Sequence, residues 1–455
     1  MKRKCLLVLV CVVCALHAVS LAQGEGTLTI GGFSELSEGY QMLHERYPDA
    51  AAACVPLSAL STDALVSALL TKSFDCDVYS LSTDAFDLHT LIERGYCAEL
   101  SADPDVMALV ERMYPSVRSE IEWNGGVYAL PYACSLDYLA CEPSAWSAAG
   151  FDDGDIPGDF AAYLDLLEDW LLRAESGSAP AYAIFADFDE AMYTADSYAV
   201  RLLELLLKQH LMQCSFADGA VDFGDAVFRT LAERCVDIGH RLYAIEPLPN
   251  AHPPLFHFPV GTSMADLPHM IPLRLHDQQP LLIDATLNVM VIHSESDAKE
   301  LATEFAVYQA AHYQDGLFAA FLFRDAAAIE NPMYANDVAA WQKRIAGTQA
   351  RLAQADALTP EARAMLDAQL TRYEASLEKV ADEANRYLIT EEELAVYRQY
   401  GACIYFQPPS VFDPATEDGQ TVKKLCARYA SGAMHIDQFI KRLDEMAWMI
   451  QMETE

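Results

Sequence analysis

The sequence predicts a two-lobed α/β fold with an inserted helical hairpin, and three observations support this prediction. Strand and helix patterns alternate over the first hundred residues, which is typical of a parallel sheet covered by helices on both faces. The 455 residues exceed what one hydrophobic core usually supports, so two domains are expected. A segment near residue 340 has the apolar spacing of two paired helices.

The N-terminus has the pattern of a secretory signal peptide. Basic residues at positions 2–4 precede an apolar run over residues 5–16, and Ala22 ends a small-residue cleavage pattern. A bare membrane anchor is the weaker alternative, because the run is shorter than the ~20 apolar residues that a spanning helix needs. We therefore assign residues 1–22 to a signal peptide and expect a secreted chain, in the periplasm or at the extracellular face of the cell membrane.

Three short strands are predicted in the first lobe. The stretches "TLTI", "AAACVPL" and "CDVYSLS" are apolar and β-prone, and helical patterns separate them. In parallel sheets ligands bind beyond the carboxyl ends of the strands, so residues 31–35 and 80–87 are the loops where a ligand is expected. The glycine pair at positions 31–32 lacks the G-x-G-x-x-G spacing of a dinucleotide site.

A tight hairpin and a proline mark the expected passage between lobes. Asn124 and Gly125 suit the positive φ angles of a two-residue turn. Pro131 then interrupts an apolar run, which predicts a strand, a break and a second strand. Residues 132–137 are expected at the floor between the lobes, and a return crossing is expected over residues 283–290.

The apolar spacing over residues 336–388 predicts a self-contained antiparallel pair of helices that packs on one lobe. One apolar stripe includes Val338 and Trp341, and a second includes Leu366 and Tyr373. Thr359 and the proline after it supply a cap and a first-turn proline for the second helix. The stripes contain no histidine and no paired carboxylates, so no cofactor is expected.

Composition excludes some partners and leaves others open. The formal net charge of −37 repels nucleic acid and anionic lipid. Nine cysteines follow the leader, and no pair has the C-x-x-C spacing of a zinc or redox site, so we expect mainly buried thiols with one or two bridges as the alternative.

No motif of catalysis or metal binding stands out. Four histidines cluster with two aspartates between residues 252 and 277, but five prolines make this stretch a loop, and we expect no metal. The acidic stretch "GFDDGDIPGD" lacks the register of a calcium loop. A glycosidase needs two separated carboxylates, and a chain with 67 acidic residues leaves that alternative open.

Several segments carry a resemblance to a known family. The stretches "GGVYALPYACSLDYLACEPSAWSAAGF", "GAVDFGDAVFRTLAERCVDIG", "LNVMVIHSESDAKELATEFAVYQAAH" and "YASGAMHIDQFIKRLDEMAWMIQMETE" are similar to family 1 extracellular solute-binding proteins of ABC transporters. The resemblance implies a periplasmic-binding-protein-like (type II) fold. It places residues 23–133 with about 285–335 in lobe 1, and residues 134–284 with about 389–455 in lobe 2, both as α/β lobes.

The function expected from this resemblance is capture of a small polar solute, with an oligosaccharide as the expected ligand, for delivery to the membrane permease subunits of an ABC importer. The protein is expected to be a monomer without a cofactor and not an enzyme. A ligand-binding surface protein or sensor partner without a transport role is the first alternative, and a secreted glycan-acting enzyme is the second.

Aromatic faces and hydroxyl-binding carboxylates are the side chains that such a cleft requires. The aromatic candidates are Phe33, Tyr132, Tyr138 and Phe185, and the polar candidates are Asp84, Asp137 and Asp187.

Overall fold

A computed structural model describes most of the chain after the expected leader. The described residues are 27–49, 51–55, 67–71, 74–177, 194–217, 221–245, 254–258, 264, 266–275, 278–314, 316–353, 359–407 and 417–454. The expected signal peptide lies outside these ranges, and so do the candidate site residues Phe185 and Asp187.

The strands and helices alternate along the chain, with short strands and longer helices. The strands are β1 (Leu28–Gly31), β2 (Ala52–Val55), β3 (Val78–Ser82), β4 (Glu122–Trp123), β5 (Gly126–Val127), β6 (Leu130–Asp137), β7 (Ala140–Cys141), β8 (Phe256–His257), β9 (Ile283–Ile292), β10 (Ile329–Glu330), β11 (Tyr387–Ile389) and β12 (Ile404–Phe406). The helices are α1 (Glu38–Arg46), α2 (Leu88–Glu93), α3 (Pro104–Arg112), α4 (Pro115–Ile121), α5 (Pro143–Ala148), α6 (Phe160–Glu175), α7 (Ser197–Phe216), α8 (Ala226–Ala244), α9 (Lys299–His312), α10 (Ala319–Leu322), α11 (Tyr334–Ala353), α12 (Pro360–Val380), α13 (Glu391–Tyr400), α14 (Glu417–Ala430) and α15 (Ile436–Thr454).

The main sheet begins as the sequence predicts and then becomes mixed. β1 pairs in parallel with β2 and β3, which confirms the three predicted strands. β9 runs antiparallel to β3 along one edge and antiparallel to β6 along the other. The first residues of β9 pair in parallel with β12. β9 therefore joins three segments that are far apart in sequence.

The predicted tight hairpin is present before β6. β4 pairs antiparallel with β5, and the turn between them contains Asn124 with φ 50° and Gly125 with φ 85°. Glycine tolerates such positive φ angles without steric cost, and asparagine tolerates them better than most residues.

The predicted break at Pro131 is wrong, because β6 is one continuous strand. The pairing of β6 with β9 shifts register between Pro131 and Ala133 and then continues regularly to Asp137. Pro131 lies opposite Val289 and Ala133 opposite Asn288, so the bulge leaves Tyr132 outside the ladder, and a proline that cannot donate a hydrogen bond is tolerated beside it. The chain leaves the first core further on, since Tyr138 packs in the first core and Leu139 in the second.

The buried apolar residues form two cores, as expected for two lobes. The first surrounds the main sheet and includes α3, α9 and α13. The second is built mainly from the helices α6, α7, α8, α14 and α15, and the short pair β7 and β8 lies beside it. The described part of the second lobe therefore contains less sheet than the expected α/β organisation.

The segment that follows the helical hairpin differs from the expected division into lobes. Tyr397 and Phe406 belong to the first core rather than to the second. The hydroxyl of Tyr397 donates to the backbone oxygen of Phe321 at 3.0 Å, and β12 pairs with β9. Residues 389–406 therefore pack with lobe 1, and the chain returns to the second core only at α14.

The two predicted helices of the insert are α11 and α12. They pack on each other, with the rings of Trp341 and Tyr373 5.6 Å apart, and β10 pairs with β11 at their base. Among the described residues of the two helices only Thr348 and Leu366 are buried. The stripe residues Val338, Trp341 and Tyr373 are half-buried, and packing of the hairpin on a lobe stays a prediction.

Candidate functional site

A cleft of about 510 Å³ lies beside the last residues of β6 and the first residues of β9. Asp84, which follows β3, and Thr286 of β9 line it from the first lobe. The helices α7 and α14 line it from the second lobe. This volume falls within the range of about 300–1,000 Å³ that is usual for small-molecule sites.

An ammonium group bridges two carboxylates at the centre of this cleft. Lys208 of α7 contacts Asp284 at 2.6 Å and also contacts the carboxylate of Asp137. Asp137 and Asp284 are paired neighbours on β6 and β9, so the sheet register places both carboxylates beside the one amine. The cluster therefore joins the crossing strands to a helix of the second lobe.

The protonation of Lys208 depends on its two carboxylate partners. Burial alone would lower the pKa of this amine, but Asp284 and Asp137 more than offset the effect and leave the pKa raised. Lys208 is therefore charged at neutral pH, and it donates hydrogen bonds to oxygens on both crossing strands.

A second group of charges lies on the wall of the cleft formed by α7 and α14. Arg201 and Lys423 both approach Glu204, at 3.9 Å and 3.7 Å. The guanidinium of Arg201 also lies over the ring of Phe258, 4.4 Å from its centroid. All four residues line the cleft.

Three of the sequence-predicted site residues line the cleft. Asp84 and Asp137 present exposed carboxylates to it, whereas the Tyr138 side chain is only 7% exposed. Burial and the nearby Asp266 raise the pKa of Tyr138, so its hydroxyl stays protonated and remains a hydrogen-bond donor.

Two other predicted residues pack elsewhere. The ring of Tyr132 lies 5.0 Å from that of Phe33 and 4.9 Å from that of Tyr313, in an edge-to-face cluster. The hydroxyl of Tyr132 is 2.7 Å from that of Ser80, and the residue is 9% exposed. Neither Phe33 nor Tyr132 lines the cleft, and their role in binding stays a prediction.

Sequence reasoning missed the cations of the site. Lys208 and Arg201 lie in the leucine-rich stretch "RLLELLLKQHLM", which reads as a buried helix. The lone lysine among these leucines could have indicated the site, because a charge on an apolar helix face requires a partner. Asp284 was equally visible as a carboxylate inside the apolar return strand.

The histidine-rich loop does not form a metal centre in its described part. His257 lies 3.4 Å from Asp266, while residues 252, 276 and 277 lie outside the described ranges. Across the described residues no group of three or more histidine, cysteine or acidic side chains could hold a metal ion.

The nine cysteines beyond the expected leader are free thiols, and six of them are buried. Burial raises the pKa of Cys76, Cys97 and Cys134 to about 12. These three thiols are therefore protonated at neutral pH and are poor nucleophiles.

Among the helices in the described ranges, none is both long and apolar enough to cross a membrane.

Two cores joined by crossing strands, with a cleft between them, define the fold of a two-lobed binding protein. Solved structures of sugar-binding proteins have this fold. A sugar transporter protein from Rhizobium etli in an open conformation aligns with a TM-score of 0.53 and 14% identity, over 92% of this chain and 98% of that one. The sugar-binding protein MalE from Xanthomonas citri aligns with a TM-score of 0.50 and 13% identity, over 94% and 98%.

A third solved structure covers a similar share of the chain. The cyclic α-maltosyl-1,6-maltose binding protein from Arthrobacter globiformis aligns with a TM-score of 0.50 and 13% identity, over 93% of this chain and 98% of that one. No protein-family model matches the sequence, and no curated protein matches it either. The similarity at this identity is one of fold.

Proposed function

We propose that this protein is an extracellular solute-binding protein that captures an oligosaccharide and delivers it to an ABC permease. The observation that carries the proposal is the position of the cleft, which is lined from both lobes at the strands that connect them. The names of the structural neighbours, which are sugar-binding proteins, support the same class of ligand. The family resemblance in the sequence supports the transport role.

Ligand capture follows from contacts with both lobes. Asp84 and Asp284 offer carboxylate oxygens from the first lobe, and Lys208 offers donors from the second. A sugar that bonds to both sides stabilises the closed arrangement over the open one, because only the closed arrangement makes every contact. Sugar hydroxyls accept from ammonium groups and donate to carboxylates, so both kinds of group are useful in this cleft.

The glycosidase alternative depends on the same pair of carboxyl groups. A glycosidase needs one carboxyl group that keeps its proton and a second that attacks or activates water. Burial raises the pKa of Asp284 although Lys208 lies beside it, so this group has one property of a proton donor. Asp137 and Asp284 both contact the ammonium of Lys208, and this shared ion pair is the observation that favours binding over hydrolysis.

Transport also requires export and a membrane partner. We assign export to the signal peptide over residues 1–22, so the mature protein should begin near Gln23. The partners would be the permease subunits of an importer, with the binding protein acting as a monomer. A sensor partner without transport would bind the same sugars but would not stimulate a permease.

A binding screen tests the proposal. Neutral and acidic oligosaccharides, peptides and polyamines are compared by thermal shift, and hits are titrated by calorimetry. A ligand at ~100 times its dissociation constant adds ~2.7 kcal/mol to the free energy of unfolding. We expect saccharides to stabilise the protein and to reduce its radius of gyration in small-angle scattering.

Matched variants separate the cleft from the rest of the surface. Asp84→Asn removes a cleft carboxylate, and Asp367→Asn removes an exposed carboxylate on α12 of the hairpin. Saccharide affinity should fall only in the first variant. The proposal is wrong if peptides or polyamines stabilise the protein and no saccharide does.

A further inference from the structure

The charges in the cleft are divided between two positions. Asp137, Lys208 and Asp284 together carry a net negative charge beside the crossing strands. Arg201, Glu204 and Lys423 lie on the α7 and α14 wall, and their formal charges sum to one positive charge. Arg201 and Lys208 lie about two helical turns apart on α7, so a ligand along this helix meets the carboxylates beside Lys208 and the cations beside Glu204.

The cations at the two positions differ in their distances to their carboxylate partners. Lys208 is within hydrogen-bond distance of both its carboxylate partners. Arg201 and Lys423 share the single carboxylate of Glu204 at 3.9 Å and 3.7 Å. Both distances exceed the 2.7–3.2 Å of an ordinary N–H···O bond, so donors of the two groups stay available to a ligand.

The position of this pair of cations in the cleft distinguishes it from others in the chain. Lys441 and Arg442 also meet one carboxylate, that of Glu445 on α15, but they do not line the cleft. The stacking of Arg201 on Phe258 holds the guanidinium at the wall instead of letting it extend into solvent. The side chains of Arg201 and Lys423 are 38% and 55% exposed, so a ligand in the cleft can reach them.

We propose that the cleft takes an acidic oligosaccharide, whose uronate carboxylate binds to donors of Arg201 and Lys423 that Glu204 does not occupy. The inference rests on the proposed function and names its substrate class. The planar guanidinium matches a carboxylate through paired N–H···O bonds, and Lys423 adds a second charge-assisted bond. The neutral hydroxyls of the sugar then lie toward Asp84, Asp137 and Asp284, which accept hydrogen bonds.

The test compares disaccharides that differ only in their carboxylates. The acidic probes are digalacturonate, dimannuronate and diglucuronate, and the neutral ones are galactobiose, mannobiose and cellobiose with matching linkages. Calorimetric titration at low and moderate salt gives the affinities. We expect at least one acidic probe to bind about 10-fold or more tightly than its neutral counterpart, because charge-assisted hydrogen bonds are the stronger ones. This preference should fall as salt screens the charges.

Variants of Arg201 and Lys423 test whether these two residues cause the preference for uronates. Arg201→Gln and Lys423→Gln should each reduce the affinity for the preferred uronate by about 10-fold and change that for the neutral sugar by less than about 2-fold. Arg201→Lys should retain part of the preference. Lys441→Gln removes an exposed charge on α15 outside the cleft and should leave both affinities unchanged.

Two negative results have different meanings. If neutral disaccharides bind as tightly as the uronates, or if Arg201→Gln weakens both equally, the uronate inference is overturned and the oligosaccharide function stands. If no saccharide binds while another class of ligand does, the proposed function fails and the inference fails with it.

Discussion

The two ends of β6 lie in different surroundings although they belong to one strand. Every residue from Leu130 to Cys134 is buried, and Tyr132 packs among aromatic rings of the first lobe. Beyond them Ser135 is half-buried, Leu136 is buried, and Asp137 reaches the cleft with its side chain 58% exposed. The strand is thus core at its start and lines the cleft at its end.

This difference indicates where a crossing strand can contribute to binding. Over its first residues the side chains of β6 are covered and serve packing. Near its end, the alternation of side chains between the two faces puts Leu136 in the first core and Asp137 on the cleft. We therefore expect the two ends to have separate roles.

The largest effect is expected at the buried end. Tyr132→Ala should lower the free energy of unfolding by about 3–5 kcal/mol, as for other buried aromatic side chains cut to alanine. Tyr132→Phe should cost only about 1 kcal/mol, because it removes the hydrogen bond to Ser80 and keeps the ring. Urea unfolding measures both. A Tyr132→Ala protein with unchanged stability but weaker sugar binding would instead place this side chain in the ligand site.

A smaller effect is expected at the exposed end. Lys208→Met leaves the carboxylates of Asp137 and Asp284 side by side without their cation, which should cost about 1–3 kcal/mol. Lys423→Met is the matched control, since its long contact with Glu204 at an exposed position should contribute less than about 1 kcal/mol. Equal losses in the two variants would contradict a special role for the bridged pair.

A pH-dependent effect is expected beside the buried end. Burial and the nearby Asp87 raise the pKa of Glu120, on α4 next to β6, from 4.5 to about 7. The folded state therefore favours the protonated form, and this stabilisation is complete below about pH 4.5 and disappears as the pH rises through about 7. Glu120→Gln should gain stability relative to the parent over that interval.

Urea unfolding at a series of pH values checks the effect of Glu120. Asp87→Asn should move the transition to lower pH, because it removes the second cause of the shift and keeps an oxygen at the cap of α2. A parent and a Glu120→Gln variant with parallel stability curves would show that Glu120 does not titrate in this range.

The smallest effect is expected from the hairpin. Replacing residues 334–380 by a short glycine-serine linker removes two helices whose described side chains are mostly exposed. The pairing of β10 with β11 is kept, and neither strand lines the cleft. Calorimetry should give a ligand affinity within about 2-fold of the parent. Loss of binding in a folded protein would make the hairpin part of the site.

Local patterns predicted most of the architecture. The parallel start of the sheet, the Asn124–Gly125 turn and the two helices of the insert follow from spacing and turn chemistry within a few residues. Thr390 and Glu393 form a capping box at the start of α13, and its spacing is also a local pattern.

The predictions that were wrong concern residues whose position depends on pairing between distant segments. Pro131 predicted a break in the strand, but β6 continues through a bulge in its pairing with β9. Residues 389–406 were placed in lobe 2, but β12 pairs with β9 and keeps them in lobe 1. In the site, Asp84 and Asp137 were found from loop and strand ends, whereas Lys208 becomes meaningful only when the register of β6 and β9 brings two carboxylates to it.

The three partners of β9 also determine when the first lobe can be completed during synthesis. β3 and β6 precede β9 in the chain and are synthesised before it. β12 follows β9 and ends only at Phe406. Contacts between such distant segments form slowly, because a long loop must close before they stabilise the fold. The sheet therefore stays incomplete until nearly the whole chain has emerged. For the export proposed above this delay is useful, because a chain must be unfolded while it is threaded through a membrane pore.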